Sequence, residues 1–139
     1  DKTLLNRAEA YILAKQYDKG VRDLQYWCKT KMAPQIPDME SLNTFYESTV
    51  NPNTNGKPLN PKFDIEPGLQ TNLLKAVIHA RRIETVHEGE RWLDIKRFGL
   101  EIKRELYGES PIVLESHDLR KAIQIPAAVI SAGMERNPR

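Results

Sequence analysis

From Leu69 to Gly99 the apolar residues fall at steps of four and three. Leu69, Leu73, Ala76, Ala80, Ile83 and His87 come first; after Gly89 the pattern resumes with Trp92, Ile95 and Gly99. That stepping lays one apolar stripe along a helix face. A glycine inside a helix costs about 1 kcal/mol, so Gly89 predicts two helical segments that bend or break there. Gly99 is a natural C-terminal stop for the second.

The flanking sequence extends the helical reading. Leu5, Ala8, Ile12 and Lys15 keep helical spacing, with Arg7, Glu9, Ala10 and Ala14 as good helix formers, and predict a helix over residues 2–16. Tyr17 to Gly20 is a short connection in which Asp18 is a plausible N-cap. The helix that follows, about residues 19–31, carries Val21, Leu24 and Cys28 on one face and ends at the Ala33-Pro34 and Ile36-Pro37 steps. The two make a helical hairpin. Asp38 caps a shorter helix through Leu42, Phe45 and Tyr46. Residues 48–68, rich in Asn, Pro and Gly, read as a long loop, a feature often tied to function. After Gly99, alternation from Leu100 to Leu106, a turn at Tyr107 to Ser110 and the β-prone Ile112-Val113-Leu114 predict a small β-hairpin. A continued helix is the alternative, because Gly99, Ile102 and Leu106 also keep the three-four step. Ile123 to Pro126 is a short extended piece, and Ala127 to Ala132 is one helical turn closed by Gly133. The class is mainly α, with a small β-hairpin and long irregular loops.

Size and charge bound the rest. At 139 residues the chain is one domain at most, or a piece of one. A net charge of +2, with acids and bases interleaved, is too small for a nucleic-acid tract or a polybasic membrane patch. The single cysteine, Cys28, can form neither an internal disulfide nor a metal site alone. No stretch is apolar over the roughly 20 residues that a membrane-spanning helix needs, and no signal-peptide pattern occurs. The sequence opens on Asp1, with apolar spacing from Leu4, and is expected to start mid-protein, with any export signal or lipid anchor upstream. On that expectation the first hairpin leaves an apolar face uncovered around Leu5, Ala8 and Ile12.

The densest chemistry lies in the run from Glu84 to Gly99, led in by Arg81, Arg82 and Ile83. Glu84 and His87 share a helix face, but a di-iron site of this spacing needs a second Glu-x-x-His and further carboxylates, which the chain lacks. Zinc needs more ligands as well. The pairs Glu88 to Arg91, Arg91 to Asp94 and Asp94 to Arg97 are all i,i+3, so these charges are expected to neutralise one another along one helix. Trp92 and Ile95 fall on another face as core. Arg91 and Arg97 could clamp a phosphate, yet acids interleave with every arginine. Ser116, His117 and Asp118 are consecutive and point different ways, so they are expected to cap or turn rather than to form a relay. The sequence offers no Gly-rich phosphate loop.

Several of these residues together resemble a known family. Arg81-Arg82-Ile83-Glu84 followed by Glu88-Gly89-Glu90-Arg91-Trp92-Leu93-Asp94-Ile95-Lys96-Arg97-Phe98-Gly99 is similar to the C-terminal signature of the SusD/RagB family, with Arg82, Glu84, Glu88, Gly89, Arg91, Trp92, Asp94 and Arg97 as signature positions. Leu5-Asn6-Arg7-Ala8-Glu9-Ala10-Tyr11 resembles that family's Arg-Ala-Glu-Ala helix. Ile125-Pro126 with Met134-Glu135-Arg136-Asn137-Pro138 resembles its closing segment, although Arg139 stands where members often carry glycine. Thr85 and Val86 also depart from the usual leucine-rich positions. Family members are several times longer, so the resemblance implies that residues 1–139 are the C-terminal portion of a SusD/RagB-like domain: a tetratricopeptide-like helical hairpin (1–33), a short helix with an Asn/Pro-rich loop (34–68), and the signature helices with the closing segment (69–139).

What the resemblance implies is binding without catalysis and without a cofactor. Such proteins are lipid-anchored at the surface of the outer membrane of Bacteroidetes-type bacteria, where they pass glycans or peptides to a TonB-dependent, SusC-like transporter. The most sugar-compatible surface in this chain is Tyr46 with Asn51, Asn53 and Asn55. The alternative, from another class, is a structural helical-repeat module that docks a protein partner without touching substrate. An exposed aromatic shelf beside polar loop residues would separate the two. A metal-dependent or hydrolytic enzyme would require further ligands around Glu84 and His87.

Overall fold

The longest apolar stripe becomes the longest helix. In a computed structural model, which describes residues 2–31, 35–47 and 57–138, the described elements run α1 (Lys2–Leu13), α2 (Tyr17–Thr30), α3 (Met39–Glu47), α4 (Leu69–Glu84), α5 (Arg91–Arg97), β1 (Ile102–Leu106), β2 (Glu109–Leu114), a 3-10 turn (Leu119–Lys121) and α6 (Ala127–Ser131). Helix α4 packs against α1, α2 and α3 and touches α5 at its far end. Leu73, Leu74, Ala76, Val77, Ile78 and Ala80 are all buried. The helix is therefore covered on several sides, beyond the single stripe that the spacing predicts.

The main core joins Leu73, Leu74, Ala76, Val77 and Ala80 of α4 to Leu5, Ala8 and Ile12 of α1, to Val21, Leu24 and Trp27 of α2, and to Leu42 and Tyr46 of α3. Each large aliphatic side chain buried here contributes about 1.5–3 kcal/mol. Helices α1 and α2 form the predicted hairpin, and Gly20 lets them close: a Cβ there would lie 2.6 Å from Ile12 Cγ1. A second, smaller core of Ile78, Phe98 and Leu100, backed by Leu59, Phe63 and Ile95, fixes the segment after α5.

Several expectations are corrected. Leu5, Ala8 and Ile12 are each 0% exposed, so the stripe expected to be open is covered by α2 and α4. Asp18 lies inside the first turn of α2, whose N-cap is Gln16. Of the α3 residues, Leu42 and Tyr46 face inward but Phe45 points out. Ile83 is exposed, and His87 lies beyond α4 with φ +70°, so the stripe stops at Ala80. The break falls over Thr85 to Glu90, with Gly89 at φ +77°.

Past α5 the alternation prevails over the three-four step. Strands β1 and β2 pair antiparallel, Ile102 opposite Leu114 and Leu106 opposite Glu109, with an irregularity between Arg104 and Leu106. A two-stranded hairpin is marginal alone. Lys121 ties the base of this one: its buried Nζ donates to the Leu100 carbonyl at 2.7 Å and the Ser116 carbonyl at 2.9 Å. Among the described residues no helix is long and apolar enough to cross a membrane.

Candidate functional site

The run from Arg81 to Arg97 is held by partners far away in sequence. Arg81 is buried and bridges two carboxylates: Nη1 donates to Asp94 Oδ1 at 2.6 Å, and Nη2 to Glu9 Oε2, 72 residues distant. Glu9 takes a second cation on its other oxygen, Arg97 Nη2 at 2.8 Å. One carboxylate on α1 thus joins the end of α4 to the end of α5. Burial alone would lower the Arg81 pKa; the Glu9 hydrogen bond and both carboxylate charges outweigh it and push it up. Removing one partner of such a buried group strands the others, which costs about 3–5 kcal/mol.

The other acids of the run are engaged in the same cross-element way. Glu84 Oε2 accepts from Lys31 Nζ and from the Trp27 indole, each at 2.8 Å, tying α4 to α2. Its pKa is held down to about 2, with the Lys31 bond the largest cause. Lys2 reaches across to both Glu88 and Glu90. Beside them, Arg7 makes a two-pronged bond to Asp23 at 2.8 and 2.9 Å.

This corrects the expected local lattice. The i,i+3 pairs Glu88–Arg91, Arg91–Asp94 and Asp94–Arg97 do not form. Glu88 lies in the break, off the helix that carries Arg91, and Asp94 turns inward to Arg81. Trp92 and Ile95 are half-buried, Ile95 against the smaller core. Sequence reading missed Arg81 and Glu9 as the centre of the network. The one available hint was that both sit on apolar helix faces, where a charge requires a partner.

The proposed ligand residues are placed as follows. Tyr46 is 6% exposed, its hydroxyl 2.9 Å from His79 Nδ1. Phe45 next to it is 59% exposed and meets the Tyr46 ring edge-on. Asn51, Asn53 and Asn55 lie outside the described residues. Clefts open at two places among the described residues. One, of about 410 Å³, is lined by Leu59, Ile65, Pro67, Thr71, Asn72 and Lys75. The other, of about 570 Å³, is lined by Asn60, Glu101, Glu115, Ser116, His117 and Asp118. Within it Asp118 caps the 3-10 turn, accepting from the Arg120 amide at 2.8 Å, and its carboxylate is paired with the Arg120 guanidinium.

Among the described residues no group of three or more His, Cys, Asp or Glu is placed to hold a metal ion. Set against protein-family models, curated proteins and solved structures, the chain matches none.

Proposed function

We propose that the chain is the C-terminal portion of a SusD/RagB-like protein. In this reading it serves non-enzymatic, cell-surface capture of a glycan or other nutrient and its delivery to a TonB-dependent, SusC-like transporter of the outer membrane. The observation that carries the reading is spatial. The Arg-Ala-Glu-Ala segment and the Glu-Gly-Glu-Arg-Trp run, which bear the resemblance from opposite parts of the sequence, meet through Glu9, Arg81, Asp94 and Arg97. The closing segment supports it in the same way: the Asn137 side chain donates to the Ile123 carbonyl at 2.8 Å, and the Asn137 amide donates to Gln124 at 3.0 Å. Glu9, Arg81, Glu84, Asp94 and Arg97 thereby have structural partners, which supports reading the charged run as a clasp instead of an active site.

A second reading, a structural module that docks a protein partner, is favoured by Ile83, Val86 and Leu93, which the same run leaves 52%, 57% and 67% exposed. Glycan-array screening and calorimetric titration of the whole protein with oligosaccharides and peptides separate the two. Saturable binding without turnover is the expected result. Complete absence of glycan and peptide binding, with a protein partner retained, would overturn the first reading in favour of the second.

A further inference from the structure

Of the two clefts above, the one of about 410 Å³ lies where the chain entering α4 passes the end of α3. Its volume falls within the roughly 300–1,000 Å³ usual for small-molecule sites. One wall is aliphatic. Leu59 and Ile65 form it, and both pack from behind against the main core, which holds that wall in place. The other wall is polar and comes from α4. Thr71 and Lys75 are four apart and Asn72 and Lys75 three apart, so they share one helix face. Glu47, the last residue of α3, lines the same cleft.

The fold does not use up the polar wall. Asn72 is 4% exposed. Its Nδ2 donates to Asn43 Oδ1 at 2.9 Å, while its own Oδ1 accepts nothing among the described residues and is not sealed from solvent. A buried amide ordinarily has both ends engaged. Lys75 Nζ spends one of its three donors on the Tyr46 carbonyl at 3.2 Å, which leaves two. Thr71 gives its hydroxyl hydrogen to the Glu66 carbonyl at 2.6 Å and keeps its lone pairs. Glu47 follows Tyr46 directly, yet it has no ion pair with Lys75 or with any other described cation. One cation and one anion therefore line a single cleft without neutralising each other. A half-used amide stands in the same polar wall, opposite an aliphatic one.

We propose that this cleft binds a small zwitterion with an aliphatic side chain, an α-amino acid such as leucine. The carboxylate takes the spare Lys75 donors. The ammonium takes Asn72 Oδ1 and the Glu47 carboxylate. The side chain lies on Leu59 and Ile65. Bonds to ionised groups are about twice as strong as those between neutral ones, so a ligand charged at both ends gains over one charged at either end alone. A neutral polyol would leave both charges unmatched and the aliphatic wall wet. The inference goes beyond the nutrient-binding reading and stands without it, because it rests on the cleft alone.

The test is calorimetric titration of the whole protein with L-leucine, glycine, N-acetyl-L-leucine and L-leucinamide. Saturable binding of leucine is expected. Acetylation removes the ammonium charge and amidation the carboxylate charge, and each should weaken binding about tenfold. Glycine, with no side chain for the aliphatic wall, should bind at least about tenfold more weakly as well. Glu47→Gln, on an exposed side chain, should weaken leucine about tenfold and leave N-acetyl-leucine unchanged. Lys75→Met should weaken leucine and leave leucinamide unchanged. That variant also loses the bond to the Tyr46 carbonyl; should it fail to fold, Glu47→Gln carries the test. Lys29→Gln on the exposed face of α2 should change nothing. Absence of saturable leucine binding would overturn the proposal. So would glycine or a blocked derivative binding as tightly as leucine, or leucine binding that Glu47→Gln leaves intact.

Discussion

At the scale of single residues, several charged groups have their chemistry set by a distant partner. Glu84 is the plainest case. With Lys31 and Trp27 bonded to it, its folded pKa of about 2 lies below the ordinary glutamate value of about 4.3. In the interval between them the unfolded chain binds more protons than the folded one, so stability rises with pH across it. Glu84 therefore contributes fully above about pH 4.3 and loses its contribution as the pH falls towards 2. Urea unfolding of Glu84→Gln beside the unaltered protein should show a gap that is widest near neutrality and closes through this acid interval. A gap that stays constant down to pH 2 would contradict the assignment. Sequence alone identified Glu84 as one of several charges in a dense run. It could not identify Lys31 and Trp27 as its partners, because nothing local links residues that far apart.

At the scale of elements, periodicity was the reliable signal and boundaries were the weak one. The hairpin of α1 and α2, the capping of α3 by Asp38, whose Oδ1 accepts from the Ser41 amide at 2.8 Å, the break near Gly89 and the β-hairpin were all legible. Each follows from spacing or from the chemistry of a single turn. The end of α4 was not. Ile83 and His87 continue the stripe in letters, but the helix stops at Glu84, where Thr85 bonds the Arg81 carbonyl and His87 and Gly89 take positive φ. Phe45 and Tyr46 are adjacent on α3, so their opposite exposure depends on which face α4 covers. Gly99 carries a prediction at this scale. Its φ is +60°, and a Cβ would stand 2.0 Å from the Asn60 carbonyl oxygen, where the Asn60 amide donates to the Phe98 carbonyl at 2.9 Å. Gly99→Ala should force this backbone pair apart and destabilise the protein by about 1–3 kcal/mol or more, read as a lower urea midpoint. A change below about 0.5 kcal/mol would mean that the loop before α4 is not anchored there.

Across the whole molecule, one buried charge network connects the elements that the hydrophobic core brings together. The core explains why α1, α2, α3 and α4 associate; α5 adds only Ile95 to the smaller core, and its one buried residue is Asp94. Arg81 links α5 to the rest, with Glu9 on one side and Asp94 on the other. The candidate site was legible in its membership and not in its wiring: the run was recognisable as special, while its expected self-neutralising lattice proved to be a set of bridges to α1 and α2. That wiring makes the run a clasp.

The measurement that tests this most directly is a double-mutant cycle on stability between Arg81 and Glu9, using Arg81→Ala, Glu9→Gln and the pair together in urea unfolding. The clasp predicts that the loss of Arg81 costs about 3–5 kcal/mol and that the double mutant loses less than the sum of the two, with a coupling of about 1–3 kcal/mol. Single changes that each cost under about 0.5 kcal/mol and simply add would show that the network does not hold α1, α4 and α5 together.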